Sequence, residues 1–95
     1  MGAVQFDLRL PACLSLKEKR AVIRPILDGA RNRFRVAAAE VGYHEKWQRT
    51  ALGMAAVAAD AHHVREVLDE VERFVWSFPE VEVLDAGRTW MDDDA

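Results

Sequence analysis

The hydrophobic residues of this chain switch between two periods, and the order of the switches leaves few folds open. Val4, Phe6, Leu8 and Leu10 alternate with Gln5, Asp7 and Arg9, which predicts a first strand over residues 3–12. From Leu16 the spacing becomes helical, through Ile23, Ile26, Leu27, Ala30 and Phe34. Two strand-like stretches follow, residues 34–41 and 50–58, joined by a polar hairpin loop over 42–49. Val64, Val67, Leu68, Val71, Phe74, Val75 and Phe78 form a second helical stripe, and Val81, Val83 and Leu84 open a last strand. The order is strand–helix–strand–strand–helix–strand.

Local signals mark the boundaries. Ser15-Leu16-Lys17-Glu18 reads as a capping box, with Ser15 accepting from the Glu18 amide and Glu18 reaching back to Ser15. Pro11 removes a ladder donor where the first strand can stop. Pro25 falls inside the first helical stripe and either kinks the helix or splits it. The stripe continues in phase on both sides, which favours a kink. Asp60 is placed to cap the second helix and Pro79 to end it, while Arg65–Asp69 and Asp69–Arg73 are spaced for ion pairs on its wet side. The phase of the last strand slips in a way that suggests a β-bulge, and residues 90–95 read as a frayed acidic tail. With right-handed crossovers the chain predicts one domain over residues 1–95. Its class is α+β, a ferredoxin-like βαββαβ two-layer sandwich whose four-stranded antiparallel sheet has the order 4-1-3-2. The third strand is apolar on both faces, Leu52, Met54 and Ala56 against Ala55 and Val57. Part of the face away from the helices is therefore expected to be covered.

Composition narrows the class of protein. A 51% hydrophobic fraction supplies one core without metals or disulfides. The longest apolar run, residues 51–59, is too short for a membrane span, and no basic region precedes an apolar segment as in a signal peptide. Cys13 is the only cysteine, which suits a reducing cytoplasm and reads as a small apolar side chain at a strand end. The net charge of −3 conceals a dipole. Residues 17–35 carry seven basic and two acidic side chains, whereas residues 60–95 carry eleven acidic and three basic ones. A basic element on an acidic body can meet an anionic partner locally without general affinity for nucleic acid.

Few residues point to chemistry. Glu40, His44 and Glu45, with His62 and His63 further on, could hold a metal or move a proton, but lack a metal-site spacing. Acylphosphatases share the predicted topology, yet residues 11–15 contain no glycine to form a phosphate cradle. RNA-recognition motifs share it too, but the outward positions of the first strand are Gln5, Asp7 and Arg9, and the third strand has no aromatic. The first helix is more informative. Lys17, Arg20, Arg24 and Arg31 fall on one face, extended by Arg33 and Arg35. Such a stripe either tracks phosphates or is a solvated face neutralised by Glu18 and Asp28. Trp47, in a polar loop, either packs back on the sheet or anchors a partner, and Trp76 and Trp90 also fall outside the apolar stripes.

The run Ser15-Leu16-Lys17-Glu18-Lys19-Arg20, then Arg31-Asn32-Arg33-Phe34, Ala39-Glu40-Val41 and Trp47-Gln48-Arg49, resembles the bacterial YlxP family, a domain of unknown function. The likeness runs from the first strand to about Trp90. The resemblance implies a ferredoxin-like fold in a small cytoplasmic protein, and it brings no established catalytic residues to carry over. Its genes often lie among those for transcription, translation initiation and ribosome maturation, which implies a ribosome- or RNA-associated role. The expectation is a non-enzymatic accessory protein without a cofactor. Its partner-binding residues would be Lys17, Lys19, Arg20, Arg24, Arg31, Arg33, Glu40, His44, Trp47 and Gln48. The alternatives are a homodimer or protein-interaction module built on the open sheet face and, more remotely, a small-ligand or metal site near Glu40 and His44.

Overall fold

A computed structural model describes residues 1–91. Its elements are β1 (Gly2–Arg9), α1 (Leu16–Phe34), β2 (Ala37–Gly42), β3 (Arg49–Ala56), α2 (Ala61–Trp76) and β4 (Glu82–Trp90). The strands form one antiparallel sheet in the order β2-β3-β1-β4, with β1 and β3 central. The fold is the predicted ferredoxin-like α+β sandwich.

The alternation in β1 does what its period requires. Val4, Phe6 and Leu8 face the helices and are buried with Leu52 and Met54 of β3. Ile23, Ile26 and Ala30 of α1 and Val64, Leu68, Val71 and Val75 of α2 close the core from above. Each large apolar side chain enclosed in this way contributes about 1.5–3 kcal/mol. Phe34, Phe74 and Phe78 meet edge to face at the margin, with centroid separations of 5.4 and 5.1 Å. The Phe74 ring lies on Gly29 of α1, where a Cβ would overlap it.

Several predicted boundaries move, each for a local reason. β1 pairs only to Arg9: Leu10 donates to the Gln48 carbonyl, and Pro11 and Ala12 turn the chain so that the Cys13 amide reaches Leu10. Phe34 belongs to α1 and not to a strand, because Arg35 takes the left-handed region (φ 56°, ψ 37°) and returns its amide to Arg31. Pro25 lies within a continuous helix, so α1 is not split. Ser15 caps α1 as expected, but Glu18 reaches one residue further back, to the Leu14 amide. Asp60 caps α2 through the His62 amide. The bulge in β4 falls at Leu84, between the Asp7–Asp85 and Leu8–Val83 pairings. Trp90 completes β4, and Met91 bonds back to Met1. The predicted fraying therefore does not reach them, and the rest of that tail, residues 92–95, lies outside the described residues.

Candidate functional site

α1, its preceding loop and the β2–β3 hairpin meet at one end of the molecule, and Lys19 holds them together. Its position on the α1 stripe, three after Leu16 and four before Ile23, turns it inward, and it is 1% exposed. The ammonium donates to the carbonyls of Tyr43 (2.9 Å), His44 (3.1 Å) and Arg49 (3.5 Å). It also pairs with Glu40 Oε2 at 2.9 Å, and that oxygen accepts from Thr50 Oγ1 at 2.7 Å. A buried charge is tolerated only when it is matched in this way. The expectation that Lys19 and Glu40 contact a partner is corrected: both are committed internally, fastening the hairpin loop to the helix. Tyr43 turns that loop through the left-handed region at φ 58° and lays its ring against the Arg49 guanidinium, 4.6 Å from the centroid.

Gln48 is also engaged inside the protein. Its amide donates to the Pro11 and Cys13 carbonyls, both at 3.3 Å, and so ties the hairpin to the loop before α1. The flanking side chains, Trp47 on one loop and Leu14 on the other, are 53% and 67% exposed. Leu14 carried no periodic signal in the sequence; only its place beside the cap could have drawn attention to it. Lys17, Arg20 and Arg24 line the adjoining turns of α1. Among the described residues they make no ion pair and stand exposed.

Three other expected contact residues serve the frame. Arg31 donates to the Ala38 carbonyl at 2.6 Å and pairs with Asp28 at 3.2 Å. The His44 ring lies 3.0 Å from the Glu40 carbonyl, so its Nε2 carries the proton and donates. Ala38 and Glu40 are two apart on the edge strand β2, so both carbonyls point away from β3 and both are capped. Arg33 spreads over the Phe34 and Phe74 rings, 5.4 and 5.2 Å from their centroids.

The acid–base reading finds no cluster. The Glu40 carboxylate faces Lys19 and Thr50 while the His44 ring faces a backbone carbonyl, and His62 pairs with Glu66 on α2. Among the described residues, no three His, Cys, Asp or Glu side chains converge as a metal site would require. On α2 the expected Asp69 pairs are replaced by one partner from the sheet. Arg88 of β4 reaches Asp69 at 2.6 Å and Glu72 at 3.1 Å. The Arg88 bond holds the Asp69 carboxyl below its ordinary range, and the bonds to Glu72 and Asp69 raise the guanidinium. Burial pushes the Cys13 thiol up, with Glu18 adding to the effect.

The geometry is therefore that of a ferredoxin-like domain with a cationic, apolar-tipped end and no assembled catalytic cluster among its described residues. A family model described as a protein of unknown function (DUF503) matches residues 1–88, and the chain belongs to that family. It is similar to the uncharacterized protein YlxP of Bacillus subtilis (strain 168), 47% identical over 68 residues, 72% of this chain and 74% of the relative. No helix among the described residues is long and apolar enough to cross a membrane.

Proposed function

We propose that this protein is a non-enzymatic accessory protein of the cytoplasm that docks on structured RNA or a ribosomal particle. The contact surface is the first turns of α1 together with the loops bearing Trp47 and Leu14. One observation carries the reading: Lys17, Arg20 and Arg24 make no internal ion pair and border two exposed apolar side chains, all on a frame held by buried Lys19. Cations of this kind position a phosphate backbone, and an exposed indole supplies an anchor that needs little ordering. Arg31 and Lys19 are excluded from the contact, which is smaller than the basic run in the sequence.

The test is co-sedimentation with purified ribosomal subunits over a salt series. Three phosphate contacts reduce affinity about 20- to 40-fold between 50 and 200 mM salt. The triple variant Lys17→Glu, Arg20→Glu, Arg24→Glu should abolish binding, and Trp47→Ala should weaken it about tenfold or more. Equal binding by wild type and the triple variant, or a wild type that does not bind at all, overturns the proposal.

A further inference from the structure

The sheet surface opposite the helices carries an arrangement that docking through α1 does not use. The strand registers set its residues in rows. One row is Thr89, Ala3, Ala55 and Ala37; the next is Gly87, Gln5, Gly53 and Ala39; Asp85, Asp7 and Ala51 follow. Across β2 and β3 the surface sinks into a recess of about 340 Å³ over Ala37, Ala39, Gly53 and Ala55, walled by Val41, which leans over Gly53. Across β1 and β4 the longer side chains Gln5 and Thr89 border the same recess. Half of the surface is hollow and half is raised.

We infer that this surface binds a second copy of the chain, face to face, about a two-fold axis parallel to the strands between β3 and β1. That operation lays each β1 over the other copy's β3 and each β4 over its β2. It lowers Gln5 and Thr89 of each copy into the recess of the other. At the end of the rows it sets Asp7 over the other copy's Ala51, and it leaves Arg9 and Arg49, cross-strand neighbours in the next row, at the margin with Arg49 paired to Asp7 of its own chain at 2.8 Å. The relief is thus self-complementary, as an isologous contact requires. A two-fold across the strands would instead lay each strand over its own copy, recess over recess and ridge over ridge.

The size of the surface agrees. Four strands at about 4.8 Å spacing and eight residues at about 3.4 Å rise give about 500 Å² per copy, so two copies bury about 1,000 Å², the lower bound of a specific interface. A second copy adding edge to edge at β2 is opposed by Arg31 and His44, which already occupy its outward carbonyls. Nucleic acid suits the surface poorly, since Asp7 and Asp85 line it and the aromatic beside them, Tyr43, already stacks on Arg49.

Sedimentation equilibrium from about 5 to 500 µM tests the dimer, because a small interface places dissociation in the micromolar range. Wild type should pass from monomer to dimer across that span. Ala39→Glu, at an exposed position whose folding circular dichroism would verify, should stay monomeric. Gln5→Ala with Thr89→Ala, which withdraws both side chains from the other copy's recess, should fold normally and weaken the dimer at least tenfold. A wild type monomeric at every concentration overturns the inference. So does dimerisation unchanged by Ala39→Glu, or an Ala39→Glu chain that loses ribosome binding while wild type remains monomeric.

Discussion

Replacing Lys19 by Met keeps most of the side-chain volume on the α1 stripe and removes the charge. Three carbonyls, those of Tyr43, His44 and Arg49, then lose their donor, and Glu40 loses its counter-ion while keeping only the Thr50 hydroxyl. Breaking a fully buried pair from one side costs about 3–5 kcal/mol. Glu40 is 17% exposed and water can reach it in part, which places the expected loss near the bottom of that range, about 3 kcal/mol. For a domain of this size that is a large share of a total stability of about 5–14 kcal/mol, and it lowers the melting temperature by about 12–24 °C. Guanidinium unfolding reads the effect directly as a lower midpoint at an unchanged slope. The double variant Lys19→Met, Glu40→Gln should be less destabilised than the two single losses added together, by about 1–3 kcal/mol, because the second change removes the stranded charge. A loss below about 0.5 kcal/mol for Lys19→Met, or additive single losses, would refute the reasoning that this pair fastens the hairpin to the helix.

Three further outcomes are expected. Gly29→Ala, a change that would add about 1 kcal/mol in an unobstructed helix, should instead destabilise by about 1–3 kcal/mol, since the new methyl overlaps the Phe74 ring; a melting temperature at or above wild type would show that the ring can move aside. Arg88→Gln should lower stability at neutral pH, and the gap to wild type should close as pH falls. The depressed Asp69 carboxyl contributes stability that is present above the ordinary carboxylate pKa and lost as pH falls through its lower folded value, so parallel urea titrations at pH 7 and pH 3 with equal gaps would contradict the pairing. Cys13, buried and with its thiol pKa raised, should react with a disulfide reagent at pH 8 only after denaturant is added; rapid labelling of native protein would place it at the surface.

Most of the architecture follows from periodicity because a period determines which side of an element is dry. The order of the strands and a bulge in the last of them could be read in that way, while Ser15 and Asp60 marked the two helix caps by residue type. The end of α1 could not, since left-handed caps are ordinarily glycine or asparagine and here Arg35 takes that conformation. The misassignment of Lys19 and Glu40 has a more instructive cause. Both lie in apolar phase, Lys19 in the series Leu16, Ile23, Ile26, and Glu40 beside Val36 and Ala38 on the core side of β2. Their charge within a basic run and beside a loop drew them to the surface, whereas two opposite charges, each in the dry phase of its own element, mark an internal pair. Arg31 and His44 were beyond sequence reasoning, because their acceptors are backbone carbonyls that only the assembled edge strand presents. Trp47 was legible as an exposed side chain, and the joining of its loop to the one bearing Leu14 was not, since Gln48 bridges the two loops across 35 residues of chain.

The capped carbonyls along β2 also bear on how copies of this chain can gather at high concentration. Sheets grow into fibres by recruiting one strand after another along an unoccupied border, a process with no natural end. Here two side chains stand guard on one such border, while the other, β4, is distorted by its extra residue at Leu84. Association is thereby steered toward flat surfaces, where two partners satisfy each other and the assembly stops at a defined number.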